Sequence, residues 1–226
     1  MKVKINKGKA KGFVKAPPSK SMAHRLLICA GLSEKECVVH GISESEDVLA
    51  TLDCLTTIGV KWQRKEDTIT VQGVDITKIS AESILNCRES GSTLRFFVPI
   101  CLVSGANAVL SGSERLMERP MGIYENLCKE KGMIFSKDKT TLMVKGPLKP
   151  GNFKMAGNVS SQFISGLLFV LPLLSKDSTL TITPPIESRS YIDMTMAALA
   201  QFGVETVWQD ENTIYIKGNQ KYSADE

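Results

Sequence analysis

Hydrophobic and polar positions along the chain fall into an order that recurs three times. Each unit opens with a Ser-rich turn followed by a long apolar run: SKSMAHRLLICAGLS from Ser19, SGSTLRFFVPICLVSG from Ser90 and SSQFISGLLFVLPLLS from Ser160. Further on, a helical segment ends at a glycine before an apolar strand, at Gly59, Gly132 and Gly203, spaced 73 and 71 residues apart. Each unit closes with an alternating run ending in glycine, DTITVQG at Gly73, KTTLMVKG at Gly146 and NTIYIKG at Gly218, spaced 73 and 72 residues apart. A fixed period of this length marks a repeat architecture more firmly than local propensity does.

Within a unit the pattern predicts helix, short strand, second helix, strand, turn and strand. In the first unit these are a helix over Met22 to Leu32, a strand over Cys37 to Ile42 and a helix over Asp47 to Ile58, with Val48, Leu52, Leu55 and Ile58 at helical spacing. Val60 to Gln63 and Thr68 to Gln72 then pair around a polar turn. Gly59, Gly132 and Gly203 read as helix C-caps. The opening runs, LLFVLPLL above all, are apolar on most of their circumference and belong inside, whereas Asp47 to Ile58 and Tyr191 to Phe202 are amphipathic. The expected fold is an inside-out α/β domain: three similar units with buried parallel helices in the middle and sheets outside, since twelve strands are too many for one flat sheet.

Composition narrows the class without changing that picture. With 226 residues, 42% hydrophobic and 23% charged, the chain is long enough for a full core, which excludes a disordered chain or a disulfide-stapled miniprotein. A net charge of +4 is too mild and too evenly spread for a nucleic-acid surface but suits small anionic ligands. The most apolar stretch, Phe163 to Leu174, is about half of what a bilayer span needs, and no apolar run follows the charged N-terminus. A soluble cytoplasmic protein is expected. The six cysteines form no CxxC pair, and His24 and His40 join them in no metal-ligand spacing, so reduced, mostly buried cysteines and no zinc are expected.

The candidate chemistry lies at the Ser-rich turns. If the three opening helices run parallel, their N-termini meet, and unpaired N–H groups with the positive end of each dipole make an anion site. The residues there are Ser19, Lys20 and Ser21; Ser90, Gly91, Ser92 and Thr93; and Ser160, Ser161 and Gln162. Ser and Thr at such places are also ordinary N-caps. Lys20 and Arg25 supply charge, and Gly91 would let a ligand approach the backbone. A second cluster, SGSERLMERPMG, carries Arg115 and Arg119, with Pro120 opening a helix through Tyr124 and Leu127. A third, PPIESRSYIDMTM, places Ser188, Arg189 and Tyr191 before an amphipathic helix. Glu44, Glu46 and Asp47 read as an acidic helix start, and His24 as a hydrogen-bonded structural residue. Donors for an anionic, hydroxylated molecule are plentiful, whereas a general acid or nucleophile is not evident.

PSKSMAHR, ESGSTLR, ERLMERPMG, NVSSQF and ESRSYIDMT, in this order across nearly the whole chain, resemble the N-terminal half of the 5-enolpyruvylshikimate-3-phosphate synthase (EPSP synthase) family. The resemblance implies two similar domains, each of three βαβαββ units around buried helices, and a reaction joining shikimate 3-phosphate to phosphoenolpyruvate with release of phosphate. It implies no metal or organic cofactor. It implies that Lys20 sits between both substrates, that Ser21 and Arg25 bind shikimate 3-phosphate, and that Ser160, Ser161, Ser188 and Arg189 form the pocket for its phosphate. Gln162 and Tyr191 would line the shikimate ring; Gly91, Ser92 and Arg119 would meet phosphoenolpyruvate. Arg95 would be mainly structural.

Glu89 stands where the family commonly has Asn, and Phe96 where many members have Pro or Leu. Glu89 would weaken phosphoenolpyruvate binding or be neutralised by Arg119. Family enzymes are about twice as long, and the second half supplies their acid–base residues. Residues 1–15 are therefore expected to be a strand and crossover belonging to a C-terminal domain, 16–218 the N-terminal domain (units of about 16–77, 78–150 and 151–218), and 219–226 the start of the return crossover. The C-terminal domain is the expected protein partner, with no nucleic acid and no membrane. A non-catalytic stand-alone ligand-binding domain is the alternative. The related UDP-N-acetylglucosamine enolpyruvyl transferases usually open with Lys-Asn and carry a reactive loop cysteine, which Lys20-Ser21 and the loop from Arg115 to Arg119 do not match.

Overall fold

The structure is a computed structural model that describes residues 3, 4, 6–9, 11–79 and 82–224. Unit one contains α1 (Lys20–Gly31), β1 (Glu36–Val39), α2 (Glu46–Thr57), β2 (Lys61–Lys65) and β3 (Thr68–Gln72). Unit two contains β4 (Ser83–Asn86), α3 (Gly91–Val103), β5 (Asn107–Ser111), the short α4 (Glu114–Met117), α5 (Gly122–Lys131), β6 (Ile134–Lys137) and β7 (Thr141–Lys145). Unit three contains β8 (Asn152–Ala156), α6 (Ser161–Leu168), β9 (Ser178–Thr183), α7 (Arg189–Ala200), β10 (Thr206–Trp208) and β11 (Thr213–Ile216).

Each unit builds its own sheet, in the orders β1-β3-β2, β4-β5-β7-β6 and β8-β9-β11-β10. In units two and three the leading strand runs parallel to the next, β4 with β5 and β8 with β9, as a strand–helix–strand crossover requires. The remaining pairs are antiparallel. Among the described residues, none before α1 forms a leading strand for unit one, and Phe13 and Val14 are exposed. The described residues thus hold eleven strands rather than twelve.

α1, α3 and α6 are buried along most of their length, and α2, α3, α6, α7 and α1 pack in succession around one core. The three closing glycines have a shared reason. A Cβ at Gly73 would overlap the carbonyls of Ala30 and Ser33, one at Gly146 that of Leu102, and one at Gly218 those of Leu174 and Lys176. Just beyond each glycine, a backbone N–H caps the end of the central helix run: Val74 to Gly31 O (3.0 Å), Leu148 to Leu102 O (2.8 Å) and Asn219 to Leu174 O (2.6 Å). The returning strand so satisfies carbonyls that a helix end leaves unpaired. Gly59, Gly132 and Gly203 stop the second helices with φ of 101°, 70° and 68°.

Two prolines act differently. Pro172 cannot bond back to Leu168, and the expected long third helix ends there, giving way to a 3-10 turn over Leu171–Leu173. Pro99 stays inside α3 because the carbonyl it leaves free, Arg95 O, accepts from the buried Tyr124 hydroxyl of α5 at 2.9 Å. The strand expected to reach Ile42 stops at Val39, where Gly41 (φ 73°) turns the chain. The first helix begins at Lys20, two residues earlier than expected, because Ser19 caps it.

Candidate anion-binding site at converging helix ends

The N-termini of α1, α3 and α6 meet, as the repeat predicts. Lys20, Glu46, Asp47, Glu89, Ser90, Gly91, Ser92, Arg119 and Gln162 line one cleft of about 430 Å³. A hollow of about 390 Å³ lies elsewhere, between Leu32–Lys35 and Asn219–Ser223 at the C-terminal side of α1; its Lys221 is paired to Glu34, and it gathers no helix N-termini. The cleft at the helix starts is the chemically equipped one.

Capping and ligand roles divide between neighbouring residues. Ser19, Ser90 and Ser160 are the N-caps, each accepting a backbone N–H through Oγ: Met22 (3.3 Å), Thr93 (3.3 Å) and Gln162 (3.4 Å). The following residues, Lys20 and Ser21, Gly91 and Ser92, and Ser161 and Gln162, occupy the first turns, whose N–H groups have no partner within the helix. Ser160 keeps its own hydroxyl proton for donation. Ser161 is buried, and Ser21, Ser92 and Gln162 are half-buried.

Lys20 Nζ lies 2.7 Å from Asp47 Oδ2 at the start of α2. Partial burial pushes the Asp47 carboxyl up, but the Lys20 ammonium bonded to it and the nearby Ser90 hydroxyl outweigh this and hold the group below the usual aspartate range. Asp47 is therefore more than the acidic helix start the sequence suggests: it fixes the principal lysine. Glu46 is taken up by Arg88 (2.7 Å), which also pairs with Asp53 (2.7 Å) and ties the loop before α3 to α2. Glu89 is exposed, and no ion pair joins it to Arg119 among the described residues.

Gly91 has a partner within the protein. The space that its Cβ would fill is occupied by the guanidinium of Arg119, whose Nη1 such a Cβ would overlap. Gly91 so brings Arg119 over the first turn of α3. Gln162 bridges two units, accepting from Arg95 Nη1 (2.6 Å) and donating to Ser92 Oγ (2.8 Å). Arg95 stacks on Phe163, 5.0 Å from the ring centroid. Burial and, after it, the charge of Arg119 lower the Arg95 pKa.

Two predicted ligand residues, Arg25 and Arg189, have partners within the protein. Arg25 is only 2% exposed and is a strut between units one and three: its Nε donates to Thr195 (2.8 Å), Nη1 to Ser21 O (2.6 Å), and Nη2 to Tyr191 O (3.2 Å) and Ser165 (3.3 Å). Burial brings its pKa down to about 10, so it stays charged at neutral pH. Arg189 faces the β10–β11 hairpin, with Nη1 on Glu211 O (2.8 Å) and its guanidinium 3.9 Å from the Trp208 ring. Ser188 sits exposed in a left-handed conformation (φ 57°) ahead of α7 without capping it. Tyr191 is 43% exposed beside Arg25, the two 5.9 Å apart. Phe96 is buried against His24, Arg25 and Phe169.

Asp47, Arg88 and the pairing of Gln162 with Arg95 escape sequence reasoning because their partners lie 27 to 67 residues away in the chain. The cleft therefore offers helix N-termini from three units, two cations and a row of hydroxyl and amide donors, a set that fits a hydroxylated polyanion. No helix is long and apolar enough to cross a membrane among the described residues, and all six cysteines are buried free thiols.

Comparison with known proteins agrees with the geometry. A 3-phosphoshikimate 1-carboxyvinyltransferase of Clostridium perfringens is 44% identical over 223 residues, covering 98% of this chain and 53% of that protein. One of Clostridium beijerinckii is 45% identical over 231 residues, again with 98% and 53% covered. The chain thus spans about half the length of the curated relatives it matches. In fold, it superposes on EPSP synthase from Acinetobacter baumannii with a TM-score of 0.78 at 24% identity, covering 94% of this chain and 48% of that one. The enolpyruvyl transferase NikO from Streptomyces tendae gives a TM-score of 0.68 at 14% identity, covering 95% and 50%. The family profile described as EPSP synthase (3-phosphoshikimate 1-carboxyvinyltransferase) matches residues 5–226, and the chain belongs to that family.

Proposed function

We propose that this chain supplies the shikimate 3-phosphate-binding half of a 3-phosphoshikimate 1-carboxyvinyltransferase, which moves the enolpyruvyl group of phosphoenolpyruvate to the 5-hydroxyl of shikimate 3-phosphate and releases phosphate. The observation that carries this reading is the meeting of the α1, α3 and α6 N-termini with Lys20 and Arg119 in one cleft. Ser160, Ser161 and Ser188 would receive the shikimate phosphate; Ser21, Gln162 and Tyr191 would receive the ring and its hydroxyls. Arg25 would hold Ser21 and Tyr191 in place through their carbonyls and has one Nη1 hydrogen left to donate. Arg189 would have to leave Glu211 and Trp208 to join the phosphate pocket.

Phosphoenolpyruvate would lie between Lys20, the first turn of α3 at Gly91 and Ser92, and Arg119. Lys20 would turn from Asp47 to sit between the two anions, offsetting their repulsion and stabilising charge as the hydroxyl adds to C2 and C3 takes a proton. The proton-transfer groups would come from a second domain closing over the cleft. Residues 16–218 would be the first domain, with 1–15 and 219–226 as its crossovers to the second, and the protein would work in the cytoplasm.

The test mixes this chain with the separately expressed second half of the Clostridium perfringens relative and follows phosphate release. Activity is expected only in the mixture and should vanish with Lys20→Ala. Calorimetry on the chain alone should show weak, millimolar binding of shikimate 3-phosphate. No binding by a folded chain, or robust turnover without the second half, overturns the proposal. Binding with no activity in the mixture favours a stand-alone ligand-binding domain.

A further inference from the structure

A buried polar cluster lies behind the cleft and links the first three long helices. His24 Nδ1 on α1 is 2.7 Å from Thr51 Oγ1 on α2, which is 2.8 Å from Thr93 Oγ1 on α3, which is 2.8 Å from Ser90 Oγ. All four residues are at most 2% exposed. Thr93 Oγ1 also lies 3.4 Å from the backbone carbonyl of Asp47, the residue whose carboxylate holds Lys20. None of His24, Thr51 and Thr93 lines the cleft.

Counting protons gives this chain a direction. Each hydroxyl has one proton to donate, and a carbonyl oxygen only accepts. Ser90 Oγ accepts from Thr93 through both the backbone N–H and the hydroxyl. Thr93 also has the Asp47 carbonyl within 3.4 Å, and whichever of the two oxygens it serves, its own oxygen must accept from Thr51. Thr51 then accepts from His24, which needs its proton on Nδ1. The opposite end of the ring agrees, because Nε2 is buried with no partner. A bare acceptor nitrogen is tolerable there, whereas the opposite tautomer would bury an N–H with nothing to receive it, the rarer and costlier defect. The imidazole is neutral as well: burial, partly offset by the charge of Asp47, lowers its pKa to about 4.

We infer that His24, Thr51 and Thr93 form a one-way hydrogen-bond chain running to Ser90 and the Asp47 carbonyl, and that it is the positioning element that holds the start of α2, and with it Asp47 and Lys20, against the α3 N-cap at the cleft. His24 is thereby a positioning residue with a defined tautomer. The tautomer claim is independent of the proposed reaction; the affinity claim rests on the reading of the cleft as an anion site.

The experiment is nitrogen-15 NMR of histidine-labelled protein, where the two histidines are distinguishable because His40 is exposed, together with titration by inorganic phosphate. In the unsubstituted chain His24 is expected as the Nδ1–H tautomer. Thr51→Val should abolish that preference and weaken phosphate binding about five-fold, the worth of roughly one hydrogen bond; Thr51→Ser should restore both. An Nε2–H tautomer in the unsubstituted chain overturns the proposal, and so does Thr51→Val with either the tautomer or the affinity unchanged. If Thr51→Val does not fold, Thr93→Val replaces it, removes the acceptor for the Thr51 proton and should release the same preference. If the folded, unsubstituted chain fails to bind phosphate, the anion-site reading falls while the tautomer result still decides the direction of the chain.

Discussion

The two cations of the cleft are controlled by residues that the chain pattern presents as something else. Lys20 is held by Asp47, which reads as a favourable acid at a helix start, and Arg119 lies over α3 only because residue 91 has no side chain. Substituting Gly91 by Ala should therefore separate function from stability. The group that the new methyl meets is the end of an exposed, flexible arginine, and Ala is the better helix former by about 1 kcal/mol. Denaturant melts of Gly91→Ala should match or slightly exceed the unsubstituted chain, while phosphate affinity falls several-fold as Arg119 is displaced. A loss of more than about 1 kcal/mol in the melt would show that the backbone rather than Arg119 had moved.

Among the elements, the threefold pattern is a contact as much as a sequence rhythm. Every returning strand lays a glycine on the end of a central helix and uses the next N–H or the one beyond to cap it. Gly146 is the clearest case, because the atom its Cβ would strike is the backbone carbonyl of Leu102 and not a side chain that can swing away. Gly146→Ala is expected to cost about 3 kcal/mol or more through overpacking and loss of the Leu148 to Leu102 bond. Chemical denaturation can measure this directly, and a change below about 1 kcal/mol would mean that the sheet can retreat from the helix without penalty. The two prolines teach the same lesson at this scale: Pro99 and Pro172 are alike in sequence, but only Pro99 has a tyrosine to satisfy the carbonyl it frees.

At the scale of the whole molecule, one buried titratable group couples the core to pH. His24 has a pKa of about 4 when folded against 6.5 for the free side chain, mainly through burial. Between those values the unfolded chain takes up a proton that the folded chain refuses, so stability falls as pH drops from about 6.5 to 4, by about 3 kcal/mol, and this contribution is flat outside that window. Melts of the unsubstituted chain and His24→Asn at pH 7 and pH 4 should show a loss smaller by about that amount in the variant. Equal losses would mean that His24 titrates normally. The sequence by itself determined the three units, the inside-out order of helices and sheets, the glycine stops and the residues brought to one end, because these depend on local periodicity and on a repeat that can be aligned with itself. Its limits lie where partners are far apart in the chain. Only the tertiary structure decided that Asp47 holds Lys20, that Arg119 fills the space over Gly91, that Arg25 and Arg189 spend donors on carbonyls and hydroxyls of the protein, and that His24 reaches the Asp47 carbonyl through Thr51 and Thr93. Hydrogen bonds and charges act over a few ångströms, and which side chains come that close is settled only when the helices and the three units pack together.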